Sequence, residues 1–392
     1  MNWMEQHLAA LTHASLERTL RASAPVKDRS GCAMRGGRVL LNLSSNDYLG
    51  LSGHPAIAKA MSQSLAAEGA GSGGSRLVTG NRETYERLEQ GLADWQQSES
   101  AIVFSNGYMA NSGVISALVG RGDVVFSDRL NHASIADGIT LSRAEHARYR
   151  HLDMEHLQRL LNKHSGARRK LIVTDAVFSM DGDKAPLREL AEIKQKHGAM
   201  LMVDEAHSGG IYGRRGEGLC HSLGLHGDVD IHIGTFGKAF GVYGAYASGS
   251  SALTRWLVNK ARPFIYSTAL PPSIIAGIAE SLELVQQAHW RRESLSRAGM
   301  RFRETLRSAG FQVDAGDSPI VPLRIGHPET ALRFGSALEE EGILAVAIRP
   351  PTVPEGTSRI RFSLSAAHTP EELDHAAERI RKTGLSLGVL KP

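Results

Sequence analysis

LMVDEAHSGG, residues 201–210, is a short apolar run closed by two acids, a histidine and two glycines. Two readings compete for it. Asp-Glu-Ala-His after a strand can be the acidic box of a nucleic-acid-dependent ATPase, which holds Mg²⁺ beside a nucleotide. Alternatively, the strand delivers one carboxylate, Asp204, to the ring nitrogen of an organic cofactor. The ATPase reading also requires a GxxxxGK[ST] loop, whose amides and lysine cradle phosphate. GAGSGGSRLVTG (69–80) has the glycines but no Gly-Lys-Ser/Thr, and the glycine-flanked lysine of GTFGKAFG (234–241) follows the acidic box instead of preceding it. The ATPase reading fails on its own requirement.

The segments around this strand repeat one pattern. AIVFS (101–105), DVVFSD (123–128), KLIVTD (170–175), AMLMVDEAH (199–207) and DIHIGT (230–235) are short and apolar on both faces, and helix-like segments such as TYERLEQGLADWQQ (84–97) separate them. A parallel sheet covered on both sides requires such strands. The spacing therefore predicts an α/β doubly wound domain with a mostly parallel central sheet, whose ligands collect beyond the carboxyl ends of the strands. After residue 270 a long helical stretch leads into SPIVPLRIG, AVAIRP and SRIRFSL and a last helix from Pro370, which reads as a smaller α+β domain. The expected division is an N-terminal helix and short strand over 1–45, a large domain over 46–280 and a small C-terminal domain over 281–392.

Bulk properties agree with a globular enzyme. The 392 residues are 42% hydrophobic, enough to bury a large core, and 45 basic against 41 acidic residues leave a net charge of only +4. The one dense basic run, Arg168-Arg169-Lys170, precedes an apolar strand, so no clustered basic face points to nucleic acid. Cys32 and Cys220 are too few and too far apart for a disulfide framework. The N-terminus lacks the apolar run of a signal peptide, and no stretch reaches the roughly 20 apolar residues of a membrane span. A cytoplasmic protein that binds neither nucleic acid nor membrane is the expectation.

Polar residues fall at the predicted strand ends. Asp204 closes LMVD, His207 lies three residues on, and Lys238 sits among glycines after the next strand. A lysine amine can form a Schiff base with an aldehyde, and a buried carboxylate can keep a pyridine nitrogen protonated. Taken singly, a strand-end aspartate is more often a cap and a glycine-flanked lysine a surface loop. Further residues strengthen the cofactor reading. Gly107 and Tyr108, in SNGYMAN, stand at a strand-to-helix turn where free amides can receive phosphate. His132 offers a flat ring for stacking, and Ser179 lies in the loop after KLIVTD. Cys220, His221, His226 and His232 cluster in sequence but lack CxxC or HxxxH spacing, so no metal is assigned. A GxSxG nucleophile is absent.

SSNDYLGL (44–51), GSGGSRLVTGN (71–81), NHASIADG (131–138), VFSMDGD (177–183), VDEAH (203–207), TFGKAFG (235–241), IYSTALPP (265–272) and AIRPPTVPEGTSRIRFSLSAAHT (347–369) follow one another along the chain. In this order they resemble the α-oxoamine synthase family of fold-type I pyridoxal phosphate enzymes. The resemblance implies a pyridoxal 5'-phosphate-dependent acyltransferase that acts as a homodimer with active sites shared between subunits. GSGGSRLVTG, IYSTALPP and AIRPPTVPEGTSRIR are most similar to the members of the biotin pathway. Those members condense L-alanine with a pimeloyl thioester, with loss of CO₂ and free thiol. Coenzyme A and an acyl carrier protein are both open as the thioester carrier, and a relative that joins glycine to acetyl-CoA is the alternative.

The same resemblance implies roles for individual residues. Lys238 would carry the cofactor and move the Cα proton, Asp204 would hold the pyridine nitrogen, His207 would bond the cofactor phenolate oxygen, and His132 would stack on the ring. Gly107, Tyr108, Ser179 and Thr235 would contact cofactor or phosphate, and Ser267 and Thr268 would reach the phosphate bound in the partner subunit. Arg349 would pair with the amino-acid carboxylate as a guanidinium fork. Arg21, Ser75 and Thr352 would meet the acyl substrate, and Asn46 would lie near the reacting centre.

Overall fold

A computed structural model describes residues 2–391; Met1 and Pro392, the outer ends of the first and last expected segments, lie outside the described residues. The chain forms two compact units. One comprises residues 51–179 and 184–292, the other residues 180–183 and the described residues up to 50 and from 293 onward.

The first unit is built on a seven-stranded sheet. Its strands are β1 (Ser100–Phe104), β2 (Val124–Asp128), β3 (Glu145–Tyr149), β4 (Lys170–Asp175), β5 (Met200–Asp204), β6 (Ile231–Thr235) and β7 (Ala245–Gly249), in the spatial order β1-β7-β6-β5-β4-β2-β3. From β6 to β3 all neighbours are parallel, whereas β7 runs antiparallel to both β1 and β6. The sheet is thus mostly parallel. Its strands are buried on both faces: Val124, Val125 and Phe126 are consecutive and all sequestered, as are Leu171, Ile172 and Val173. Because alternate residues point to opposite faces, one set joins a core with the helices α1 (Gly107–Leu118) and α2 (Ala133–Ser142). That core includes Ala110, Val114, Ile115, Ile135, Ile139, Val125, Leu171, Val173, Met202, Ile231 and Ile233. Asp204 shares the parity of Met202 and so ends β5 on the α1 and α2 side, while Val203, His232 and Glu205 belong to the opposite parity.

Two strands are hidden in the sequence for physical reasons. β3, EHARY, lies at the sheet edge with only Ala147 and Tyr149 buried, so it lacks a continuous apolar signal. β7, AYASG, has a single large residue, Tyr246, among small ones after a glycine-rich loop, and gains its burial from the strands on either side. The long helical stretch after residue 270 is two helices, Pro272–Gln287 and His289–Ser308, which meet at Ala288.

The second unit carries two small sheets. Cys32–Arg35 and Arg38–Asn42 form a hairpin joined by Ala24–Pro25 and, in parallel, Ile343–Leu344. Ser358–Ser363 pairs antiparallel with Ile320–Gly326 and with Ala347–Ile348. Helices Pro328–Glu340 and Pro370–Ser386 complete it, the latter opened by a capping box in which Thr369 and Glu372 each bond the other's backbone amide. Phe302 meets Phe362 edge to face at 5.7 Å in its core. No helix of the described residues is long and apolar enough to cross a membrane.

Candidate active site

At the carboxyl ends of β4, β5 and β6 the sheet brings together residues that lie far apart in the chain. The register sets Asp175 directly beside Asp204. Asp204 is almost fully buried, and both its oxygens are held: Oδ1 accepts the Ala206 amide at 2.8 Å and Oδ2 accepts Asn111 Nδ2 at 2.7 Å. Asn111 stands one turn into α1 and also reaches Ser134 Oγ at 2.9 Å. A carboxylate buried on such terms is oriented rather than free to rotate. Removing the Asn111 amide strips a charged acceptor of one donor, which costs about 1.5–3 kcal/mol. Asn111→Ala is therefore expected to lower unfolding stability by about that amount in denaturant melts.

His132 caps α2. Its Nδ1 lies 2.7 Å from Ser134 Oγ and accepts the Ser134 amide, so the ring is fixed at the end of the loop after β2. The loop is tied to β4 by three hydrogen bonds. Asn131 donates to the Val173 carbonyl at 2.8 Å and accepts the Asp175 amide at 3.0 Å, and the His132 amide donates to Asp175 Oδ2 at 3.1 Å. Burial pulls the His132 pKa below its usual value; the Asp204 charge acts against this and the Lys238 charge with it. The ring is accordingly neutral near pH 7. Asp175 moves the other way: burial, reinforced by the neighbouring Asp204 charge, holds its carboxyl well above the ordinary carboxylate range, against a smaller opposing pull from Lys238.

Lys238 follows β6 in a tight loop that closes through a Gly241 amide to Lys238 carbonyl bond at 2.9 Å. Gly241 has φ +67°, and a side chain there would drive into the backbone of Leu51 and Ser52, so only glycine lets the loop lie this close. Lys238 Nζ is 2.8 Å from His207 Nε2. Thr235, the last residue of β6, accepts the Gly237 amide at 3.2 Å and donates to the Gly244 carbonyl at 3.0 Å, which braces the same loop. At the start of α1, the Asn106 side chain accepts the Met109 amide at 2.9 Å. The Gly107 and Tyr108 amides in the first turn have no acceptor within the helix, the arrangement that favours an anion. Tyr108 lies edge-on to the His132 ring at 6.3 Å and its hydroxyl contacts Asp137.

The remaining expected residues divide between the two units. In the first unit, Ser75 and Thr268 form an isolated antiparallel bridge, and Ser267 and Thr268 line a small cleft with Arg76 and Tyr85. Ser179 is the last residue before the excursion 180–183. In the second unit, Arg349 donates to the carbonyls of Ser15 and Glu17, and burial, then the Arg18 charge, lowers its pKa. Arg21 forks onto Glu339 at 2.9 and 2.7 Å, Thr352 accepts Arg18 at 3.0 Å, and Asn46 Oδ1 accepts Arg361 at 3.1 Å and the Tyr48 hydroxyl at 3.2 Å. Sequence reasoning assigned no role to Asn111, Asn131 or Asp175. Asn111 lies within the quoted SNGYMAN and Asp175 closes KLIVTD, so strand-end position was their available signal.

Comparison with known proteins accords with this geometry. The family model described as aminotransferase class I and II matches residues 38–380. A protein of Geobacillus kaustophilus, provisionally named 8-amino-7-oxononanoate synthase, is 51% identical over 355 residues, covering 90% of this chain and 91% of its own. A Bacillus cereus protein of the same provisional name is 52% identical over 347 residues, 88% of each chain. Among solved structures, serine palmitoyltransferase from S. paucimobilis with a bound PLP–myriocin aldimine superposes with a TM-score of 0.94 at 33% identity, over 99% of this chain and 98% of that one. The 8-amino-7-oxononanoate synthase of Francisella tularensis gives 0.77 at 31% identity, over 88% and 97%.

Proposed function

Since the chain belongs to the class I and II aminotransferase family, as an α-oxoamine synthase of the pyridoxal phosphate fold, we propose that it joins L-alanine to a pimeloyl thioester. The product would be 8-amino-7-oxononanoate, with CO₂ and free thiol released. The observation that carries this reading is the identity of about half of all residues, over some nine-tenths of both chains, with relatives that bear that name. The residues present fit pyridoxal phosphate. A buried carboxylate with a fixed orientation, a lysine amine 2.8 Å from an imidazole, a stacking ring held by its own cap and a helix start with free amides each match one part of that molecule.

When bound, the cofactor supplies an electron sink for the α-carbon of the amino acid. Asp204 keeps a proton on the pyridine nitrogen, and Asn111 holds that carboxylate in place. His207 would donate to the phenolate oxygen, and His132 would lie against the ring. The Gly107 and Tyr108 amides, with Ser179 and Thr235, would hold the phosphate, and Ser267 and Thr268 would serve the phosphate in the partner subunit of a homodimer. Lys238 Nζ would hold the aldehyde carbon and, as a free amine, would take the Cα proton. Arg349 pairs with the substrate carboxylate in place of the carbonyls it now meets. Asn46 stays near the reacting centre, while Arg21, Ser75 and Thr352 meet the acyl chain.

The test is to titrate the purified protein with L-alanine, glycine and L-serine while following visible absorbance, and then to add pimeloyl and acetyl thioesters while following thiol release. Thiol release with L-alanine and a pimeloyl thioester, exceeding that with glycine and acetyl-CoA, is the expected outcome. The reverse preference would assign the chain to the glycine-using relatives.

A further inference from the structure

On the face of the sheet opposite Asp204, three buried donors from three segments converge. Glu205 follows β5, Cys220 is the second residue of the short helix Leu219–Ser222, and His232 lies within β6. Glu205 and Cys220 are wholly buried and His232 nearly so, and one ligand atom of each lies within 4.8 Å of the other two. Of the four clustered cysteine and histidine positions, the fold thus selects Cys220 and His232 and adds an acid that sequence spacing could not connect to them.

The hydrogen bonding leaves two atoms without a partner. Glu205 Oε1 accepts the Cys220 amide at 2.9 Å and the Ser208 hydroxyl at 3.3 Å, while Oε2 has no hydrogen-bond partner. His232 Nε2 is 3.1 Å from the His226 carbonyl, so it carries the proton and donates it. His232 Nδ1 is then left with its lone pair, also unpartnered, 3.6 Å from Glu205 Oε2. Two acceptors facing each other in a dry interior repel. A proton on Nδ1 would sit across a gap too long for a good hydrogen bond. A divalent cation resolves the conflict, because neutral imidazole, carboxylate and thiolate are the ligands zinc takes. A metal-bound histidine also characteristically donates its other ring N–H to a carbonyl, as His232 does here. With zinc–nitrogen and zinc–oxygen bonds of about 2.0–2.2 Å, a tetrahedral angle sets those two donors roughly 3.3–3.5 Å apart, close to the 3.6 Å imidazole–carboxylate separation. Gly218 lies against the Glu205 carboxylate at φ +129°, where no side chain could fit, so the loop bearing Cys220 can close on this acid.

We infer that Glu205, Cys220 and His232 form a structural site for a first-row divalent cation, with zinc best matched to the donors, that ties β5, β6 and the Cys220 loop together. Binding forms the metal–sulfur bond and releases the thiol proton to solvent. Because the donors are sealed from solvent, the ion enters during folding.

The protein is to be produced in zinc-supplemented medium, stripped of loose metal on a chelating resin and assayed as holoenzyme for metal by plasma mass spectrometry. About one zinc per chain is expected in the wild type, falling below about a tenth in the Cys220→Ser, His232→Val double variant. A conservative Cys220→Ser single variant, which retains the volume, is expected to lose at least about half of the metal. Wild-type protein with less than about a tenth of an equivalent of metal overturns the site whether or not any variant folds. Undiminished metal in the variants also overturns it, since surface histidines would then be the ligands. Metal content is read independently of thiol release, so failure here and failure of the proposed reaction are separate results.

Discussion

Lys238→Ala is expected to lower turnover by on the order of 10⁴-fold and to remove the visible absorbance of bound cofactor. Two functions are lost with one amine. Lys238 Nζ, 2.8 Å from His207, would be both the nucleophile that holds the aldehyde and the base that takes the Cα proton. The loop itself should survive, because it is closed by the Lys238 carbonyl and the Gly241 amide and braced by Thr235, none of which involves the side chain. An unchanged melting temperature alongside the lost absorbance separates chemistry from folding. Turnover near that of the wild type would end the assignment of this lysine.

Asp204→Asn is expected to reduce turnover by on the order of 10³-fold and to weaken cofactor binding. The change is nearly isosteric but reverses the local hydrogen-bond polarity. Both oxygens of Asp204 face donors, the Ala206 amide and Asn111 Nδ2. The introduced NH₂ group must point at one of them, and whichever it meets is left buried without an acceptor. The negative charge that would keep a proton on the pyridine nitrogen disappears as well. Equilibrium dialysis of the cofactor together with steady-state rates gives the check. If both match the wild type, Asp204 does not hold the ring.

Much of this arrangement is legible in the amino-acid sequence. Strands β1, β2, β4, β5 and β6 were visible because burial on both faces demands uninterrupted apolar residues, and their polar ends mark where ligands gather. β3 and β7 were not, since one is an edge strand with polar residues and the other is mostly small residues around Tyr246, shielded by their neighbours. In the site, Asp204, His207 and Lys238 were readable from strand-end position. Asn111 and Asn131 were not, because a side-chain amide announces no chemistry until the atom it orients is known, and that atom lies 93 and 44 residues away, respectively. The Glu205, Cys220 and His232 cluster was hidden for a related reason: its geometry follows from the pairing of β5 with β6, which no local spacing encodes.

The register that sets Asp175 beside Asp204 bears on how the protein meets acid. Asp175 holds its proton to higher pH in the native state than an exposed aspartate does, because of burial first and the adjacent charge second. In the unfolded chain that proton leaves above the ordinary aspartate value of about 3.9. Folding therefore takes up a proton at this position, and mild acidification favours the native form there. Asp123 behaves oppositely: the Arg168 hydrogen bond depresses its pKa, so its contribution fades as pH falls. The sheet end thus harbours a group that resists souring of the medium while the rim loses its anchors to it.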